Sequence, residues 1–406
     1  MRISTAQFQR ASITAILDRQ VELSKLQNQM ASGKRVLSPA DDPVAATRAQ
    51  TISEAIDKTK QYQENGSVVN SRLGLMDATL SSFMDNLQRL NELTIQANND
   101  SLSKQDRATI AKEVSVRLDQ LQALANTQDA NGEYIFAGGK VTTQPVNFNG
   151  TSYTYQGDDT ARSLEVGAGI YIQQTDPGSE VFFNVPTGSP ATGYLADITP
   201  TNTGTGTIDS QSVSITNPLA VTNHKYQITY TGANFTVSDV TQIPAVGVAT
   251  VPAAPTPGTA FTFDGLQVTI NGAPAAGDQF IVEPSTSEDV FTTVKRLADS
   301  MTMTIATPAD LTLSQNDMRK SIEQIHNVID HIALARAGIG GRQNSVDSQK
   351  SINEDVNLNL NQVKSDLMDL DYAQAASELN LKLTGMQAAQ QVYVKAQGLS
   401  LFNLIG

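Results

Sequence analysis

Residues 356–386 read VNLNLNQVKSDLMDLDYAQAASELNLKLTGM, and apolar side chains recur among them at steps of four and three, apart from a break between Asp371 and Ser377. This spacing places the apolar side chains in one narrow stripe along a helix, as in a coiled-coil seam. Most other positions are amides or charged, so the helix cannot bury the stripe alone and needs a partner helix. The predicted packing positions are Val356, Leu360, Val363, Leu367, Leu370, Leu379, Leu383 and Met386.

The N-terminal stretch carries a stripe with the same stepping, again among many glutamines. We therefore expect the two ends of the chain to form helices that pack on each other or on a neighbouring subunit. The plain alternative is an antiparallel helix pair that closes an ordinary soluble domain. The predicted packing positions at this end are Ile13, Ile16, Leu23, Leu26 and Met30.

The composition limits the class of protein. A chain of 406 residues is long enough for more than one domain, yet only 5% of it is aromatic and it has no Trp, which is little bulk for an enzyme core. The net charge is −13 and no cluster of Lys and Arg occurs, so we expect no nucleic-acid partner. The absence of Cys excludes disulfides and thiolate metal sites. No apolar stretch has the length of a membrane span or of a cleaved secretory signal, so we expect no membrane insertion.

The middle of the chain changes its periodicity twice. A helical pattern runs from Pro43 to Ala97, which at 1.5 Å per residue is roughly 80 Å long. A helix that ends near Asn131 and Gly132 follows it. Helical patterns return at Val290, and we interpret Gly338, Gly340 and Gly341 as a hinge that interrupts them.

The stretch between these helices alternates with a period of two and is punctuated by Asn-Gly and Asp-Gly turns, which indicates strands and hairpins. The predicted fold class is mainly α with an inserted all-β domain, in which long antiparallel, coiled-coil-like helices are built from both chain ends. The predicted division is an inner terminal helical domain (1–42 and 346–406), a long-helix rod domain (43–140 and 285–345) and the β domain (141–284).

Motifs at both ends resemble the bacterial flagellin family. The sequence from Gln29 to Ala49, QMASGKRVLSPADDPVAATRA, has the family's helix end, Ser-Gly turn and doubled Asp, and SDLMDLDYAQAASELNLKLTGMQAAQQVYVKAQ from Ser365 to Gln397 is similar to its C-terminal pattern. Three features are closer to the hook-associated branch at the hook–filament junction than to flagellin: Pro43 after the Asp pair, NGEYIFAGG from Asn131, and YQGDDTARSLEVGAGI from Tyr155. The resemblance is specific in the helical flanks and weak in the β insert.

The resemblance implies a structural role without enzyme activity. The chain would join the hook to the filament as a ring of copies, with hook-associated protein 1 below and flagellin above. It would be extracellular, exported by the flagellar type III system without a cleaved signal, and bound by an export chaperone before assembly. Two other readings stay open: a flagellin filament subunit, and a stalked surface-binding protein that carries the β domain as an adhesin.

The sequence offers little catalytic or metal-binding chemistry. The spacing of His326 and His331 puts them on different faces of a helix, so we expect no metal, and we expect no cofactor or catalytic site. Asp41 and Asp42 before Pro43 predict a capped turn rather than an acid–base pair. Three arginines are candidates for charge pairs between subunits, with solvated surface charge as the alternative: Arg35, Arg48 and Arg342.

Overall fold

The structure is a computed structural model that describes residues 5–99, 102–252 and 258–405, except for the side chains of residues 5, 6, 8, 9, 249–252 and 396–405. Along the chain, long helices at both ends flank a β region, so the predicted fold class is confirmed. The α-helices in the described ranges are α1 (Thr5–Ser32), α2 (Pro43–Ala97), α3 (Lys104–Ala125), α4 (Val290–Thr302), α5 (Pro308–Met368) and α6 (Tyr372–Ile405).

The chain forms two compact units. Residues 1–64 and 348–406 make the first unit, and residues 65–347 make the second. Both divisions fall inside long helices, within α2 and within α5. The finer division into inner, rod and β domains at 42, 140, 284 and 345 stays a prediction.

The helical part of the second unit is built around the predicted apolar ladders. The apolar side chains of α2 between residues 69 and 90 are buried, which fits the helical pattern predicted there, and one face of α3 and one face of α4 are buried as well. A capping box between Ser103 and Asp106 begins α3. The fully buried positions of α2 are Val69, Leu73, Met76, Leu80, Phe83, Leu87 and Leu90.

Three helix boundaries differ from the prediction. Gly338, Gly340 and Gly341 lie inside the continuous helix α5, so the predicted hinge is wrong; three glycines lower helix propensity but do not outweigh the packing of the flanking turns. Helix α3 ends at Ala125 rather than near Asn131, because the Asn126 side chain both donates to and accepts from the backbone of Val146 at 2.9 Å. Only residues 369–371 separate α5 from α6, so most of the interval from Asp371 to Ser377 is helical.

The β region consists of short antiparallel strands. Five of them form a sheet in the order β10-β9-β8-β13-β6, three form a sheet in the order β11-β12-β7, and the others pair in twos. The strands in the described ranges are β1 (Val146–Phe148), β2 (Tyr153–Tyr155), β3 (Ser163–Gly167), β4 (Ile170–Gln173), β5 (Val185–Pro186), β6 (Tyr194–Ile198), β7 (Val213–Ile215), β8 (Tyr226–Tyr230), β9 (Asn234–Asp239), β10 (Val246–Pro252), β11 (Thr259–Phe263), β12 (Leu266–Ile270), β13 (Gln279–Pro284) and β14 (Ser287–Glu288).

The hairpin of β11 and β12 shows how the sequence sets these strands. Asp264 and Gly265 occupy the two turn positions with φ of 42° and 77°, the left-handed conformation that a two-residue hairpin turn requires. In β12 buried and half-buried residues alternate, which is the predicted period of two. The inward side chains of the two larger sheets share one apolar cluster, separate from that of the helices.

Two of the recognised motifs meet where the helices give way to strands. Glu133, from NGEYIFAGG, pairs with Arg72 of α2 at 2.6 Å and with Arg162 of the second motif at 3.2 Å. Gly139 donates its backbone N–H to Asp158 at 2.6 Å. A Cβ at Gly138 would lie 2.0 Å from the Asp158 carbonyl oxygen, so this glycine is required by the close approach.

Both hydrogen bonds and an apolar contact attach the five-stranded sheet to α5, since Leu313 packs against the apolar cluster of the sheets. Lys320 and Asn316 both bond to the carboxylate of Asp197 at the end of β6. The Asn327 amide donates to the carbonyl of Gly188 at 2.7 Å. Burial raises the pKa of Asp317 on the same helix, and the nearby Asp197 carboxylate adds to the rise.

Candidate assembly surface

The first unit is built around the pairing of α1 with α6. Leu23 and Leu26 of α1 are buried, and Ala375 near the start of α6 is 3% exposed. Lys382 of α6 pairs with Glu22 of α1 at 3.1 Å. A Cβ at Gly385 would lie 2.9 Å from the Arg19 guanidinium, so the two helices approach closely there. The terminal helices thus pack on each other within the chain, and their contacts resemble one seam of a coiled coil.

The predicted packing residues fall into three groups. Most of those in the α1–α6 seam are covered at least in part, whereas two of the four in the C-terminal part of α5 are exposed. Leu23 and Leu26 are buried; Ile16, Met30, Leu360, Leu367, Leu370, Leu379, Leu383 and Met386 are half-buried; Ile13, Val356 and Val363 are 41–43% exposed. Their contacts with other subunits stay a prediction.

Further apolar side chains are exposed on the same two helices, and of these only Ile13 was among the predicted packing positions. Leu17 and Val21 follow Ile13 at steps of four, and they are 55% and 69% exposed. Leu381 and Val392 of α6 are 76% and 61% exposed. The four-residue spacing of Ile13, Leu17 and Val21 could have indicated these exposed positions. The apolar residues of the seam, three and four apart on the same helix, made that spacing hard to recognise. We call these exposed positions the outer stripe: Ile13, Leu17, Val21, Leu381 and Val392.

The paired aspartates form the predicted capped turn. Asp41 accepts hydrogen bonds from the backbone N–H groups of Leu37 and Ser38 at 3.1 and 2.9 Å and pairs with Lys25 at 2.7 Å. Asp42 accepts from the N–H of Ala45 at 2.9 Å and so caps α2. The turn therefore sets the direction in which α2 leaves α1, without any acid–base arrangement.

The turn that follows α1 is hydrogen-bonded to the segment between α5 and α6. The Gly33 carbonyl accepts from the N–H of Leu370 at 2.9 Å, and the Arg35 N–H donates to the carbonyl of Met368 at 2.8 Å. The Tyr372 hydroxyl donates to the Met30 carbonyl at 3.0 Å. These contacts span more than 300 residues of sequence, so they fix where the two flanks meet inside the first unit.

The three candidate arginines have different environments. Arg35 pairs with Asp42 at 3.3 Å in the first unit, and Arg342 makes a two-point pair with Asp176 in the second. Both pairs form within the chain, and contacts of either arginine with other subunits stay a prediction. Arg48 is exposed on α2.

Protonation of Asp41 is expected to loosen the turn. The hydrogen bond from Lys25, and then the N–H of Ser38, lower the pKa of Asp41 from 3.8 to about 2. Because the folded pKa lies below the ordinary one, the stabilisation is complete above about pH 5 and is lost as the pH falls towards 2. Pepsin should therefore cleave Asp41→Asn faster than the wild type at residues 33–42 near pH 4, and the ratio of rates should approach one near pH 2. A ratio that does not change between these pH values would contradict this account.

The described residues hold no recognisable metal site or membrane span. Across the three described ranges, no group of three or more His, Asp or Glu side chains is arranged to hold a metal ion. None of the helices that the structure describes combines the length and apolarity of a membrane span. The outer stripe and the turn are thus the features that require an explanation.

Family models match most of the chain in three pieces. A model of the bacterial flagellin N-terminal helical region matches residues 3–141, and a model of the flagellin C-terminal helical region matches residues 297–405. Residues 199–284, in the β region, match a model of the D2-like domain of flagellar hook-associated protein 1.

Two solved structures and one sequence relative align with this chain over almost their whole length. FlgL of Xanthomonas campestris is 30% identical with a TM-score of 0.70, over 77% of this chain and 99% of that one. The flagellar junction protein FlgL of Legionella pneumophila is 30% identical with a TM-score of 0.66, over 79% of this chain and 100% of that one. The flagellar hook-associated protein 3 of Escherichia coli K12 is 25% identical over 404 residues, which is 100% of this chain and 99% of that protein.

Proposed function

The chain belongs to the family of flagellar hook-associated protein 3, and from this membership we propose that it joins the flagellar hook to the filament by packing its terminal helices against those of neighbouring subunits. As a member of this family it is a structural component of the bacterial flagellum. The mechanical role needs no catalytic residue, and we propose none.

The observation that carries the packing mechanism is the outer stripe. The α1–α6 pair already covers its own seam, yet it leaves apolar side chains such as Val21 and Leu381 about 70% exposed on its other sides. Burial of one such side chain is worth about 1.5 to 3 kcal/mol. Contact with neighbouring subunits would bury several of these side chains, whereas in the isolated subunit they stay exposed to water. The outer stripe therefore favours assembly into a closed layer of subunits.

The partners follow from the proposed place in the flagellum. We propose that copies of this chain form a ring with hook-associated protein 1 below and flagellin above. The match of residues 199–284 to the D2-like model supports relatedness between this β domain and a domain of hook-associated protein 1. We also propose export through the flagellar type III system. We further propose that a chaperone covers the apolar stripe of residues 356–386 before export, because exposed apolar side chains on an unassembled subunit promote aggregation.

Electron microscopy of the purified full-length chain tests this proposal against the flagellin alternative. After addition of a precipitating salt, a junction subunit is expected to give short assemblies or none, because its two ends meet different proteins. A flagellin is expected to polymerise into long regular filaments under the same salt. Long filaments made of this chain alone would contradict the junction role.

A further inference from the structure

Four Asn-Gly pairs occur in the sequence, and the structure places them in different surroundings. The dipeptide is chemically reactive, because the side-chain amide carbon of Asn can reach the backbone nitrogen of the next residue, and Gly has no Cβ to hinder that nitrogen. The reaction needs an unbonded Gly N–H, a peptide unit that is free to turn, and access of water. The four pairs begin at Asn65, Asn131, Asn149 and Asn271.

Two of the pairs are held by local backbone structure. Asn65 and Gly66 lie inside α2, whose hydrogen bonds fix both residues, and the amide of Asn65 donates to the Glu165 carbonyl at 2.7 Å. The Gly132 N–H that follows Asn131 donates to the Asp129 carbonyl at 3.0 Å. In both pairs the attacking nitrogen becomes available only after its hydrogen bond has opened.

The third pair, Asn271-Gly272, is held on the other side of the peptide unit. The Asn271 N–H donates to the Thr207 carbonyl at 2.9 Å, and the Asn271 carbonyl accepts from the Thr207 N–H at 2.8 Å. Formation of a cyclic imide turns the peptide unit to which this carbonyl belongs, so the bridge must break first.

The fourth pair, Asn149-Gly150, lies in the exposed loop between β1 and β2. Neither the Asn149 carbonyl nor the Gly150 N–H has a hydrogen-bond partner among the residues that the structure describes. The side chain is nevertheless ordered, since the Asn149 Oδ1 accepts from the backbone N–H groups of Thr151 and Ser152, each at 2.9 Å. The ring closed by the first of these hydrogen bonds contains both the Asn149 Cγ and the Gly150 nitrogen, so one turn holds the two atoms that react.

The hydrogen bonds of this turn also suit the charges that develop in the reaction. Attack on the Asn149 Cγ places negative charge on Oδ1, and two N–H groups already donate to that atom, as in an oxyanion hole. The Asn149 Nδ2 donates to the Ser152 Oγ at 3.2 Å. A hydroxyl group that can supply a proton therefore lies beside the nitrogen that leaves.

We propose that Asn149 is a site of spontaneous deamidation and that the folded loop promotes the reaction. The Gly150 nitrogen gives its proton to a hydroxide ion and bonds to the Asn149 Cγ. The bond from Cγ to Nδ2 breaks, and Nδ2 takes up a proton through the Ser152 hydroxyl, which water replenishes, and leaves as ammonia. Water then opens the cyclic imide. Its attack at Cγ gives aspartate, and its attack at the backbone carbonyl carbon gives isoaspartate, in which the main chain runs through Cβ and Cγ.

Both products carry one new carboxylate in an exposed loop. No oxidant or reductant takes part, and the ammonia is lost to solvent. The converted fraction therefore increases with the age of each copy of the chain.

Peptide mass spectrometry of the purified full-length chain tests this proposal. Samples are kept in mildly alkaline buffer with and without denaturing urea, and the aspartate and isoaspartate contents of the Asn-Gly peptides are followed with time. We expect Asn149 to convert fastest in the folded chain, at a rate no lower than in urea. The other pairs should convert about tenfold more slowly, or less, when folded, because opening one hydrogen bond costs about that factor.

The matched control is Asn149→Gln, whose longer side chain moves the amide carbon one bond further from the Gly150 nitrogen. This variant should lose the signal from the peptide that contains position 149 and leave the rates of the other pairs unchanged. A folded rate at Asn149 below the rate in urea overturns the proposal, as does faster conversion of another pair in the folded chain. A signal that persists in the Asn149→Gln variant also overturns it.

Discussion

Replacement of Leu383 by aspartate is expected to abolish incorporation of the chain into flagella, and motility with it. Leu383 is half-buried on α6, the helix that packs on α1, and it lies between the α1 contacts of Lys382 and Gly385. A carboxylate there must leave the seam or be neutralised, because burial of an unpaired charge costs far more than the packing returns. The α1–α6 pair, and with it the outer stripe, would lose its shape. Swimming assays and immunoblots of sheared flagella measure the effect.

The matched control for this variant is Asn380→Asp. It adds the same charge one turn earlier on α6, at an exposed polar position. We expect it to assemble normally, because a solvated carboxylate disturbs little. The β strands should keep their circular dichroism in both variants, since they belong to the other compact unit. Unchanged motility with Leu383→Asp would contradict the claim that assembly depends on the α1–α6 seam.

Replacement of Phe182 by alanine is expected to have the largest effect on stability. Phe182 is fully buried, and its ring centroid lies 4.9 Å from those of Phe83 and Phe136. Truncation removes the ring from a site lined by helix α2 and by the motif that leads into the strands. The expected loss in free energy of unfolding is about 3 to 5 kcal/mol, from lost burial together with the cavity left behind. Urea unfolding of the full chain, followed by circular dichroism, measures it.

The neighbouring Phe183 is the matched control for this experiment. It has the same side chain but is only half-buried, and its ring lies 5.8 Å from that of Phe291. Phe183→Ala should therefore cost clearly less than Phe182→Ala. Equal losses would mean that the convergence of the motifs around Phe182 is not the core of this unit.

The long helices could be predicted because their signals are local and repeated. In α2, seven apolar positions from Val69 to Leu90 keep one rhythm, and all seven are buried. The cap at Asp42 was also readable, since residue types at helix starts follow from unpaired backbone N–H groups. Asp264-Gly265 likewise marked its hairpin because two positive φ angles are required there.

Other features depend on contacts that a sequence pattern does not carry. Gly338 to Gly341 indicated a break, yet α5 runs through them, because tertiary packing overrides a propensity cost of about 1 kcal/mol per glycine. The end of α3 depends on the Asn126 side chain acting as a partner for a strand 20 residues later. The outer stripe was not predicted for a different reason. Leu17 and Val21 lie on the same helix as the seam residues, and the two apolar patterns overlap in the sequence.

Immunogold labelling of isolated flagella tests the central claim most directly. Antibodies raised against the full chain, on flagella from wild-type cells and from cells without this chain, give the location of the protein in the electron microscope. The junction account predicts gold at one band between hook and filament, and hooks without filaments when the chain is missing. Gold spread along the whole filament, or filaments that persist without the chain, would contradict it.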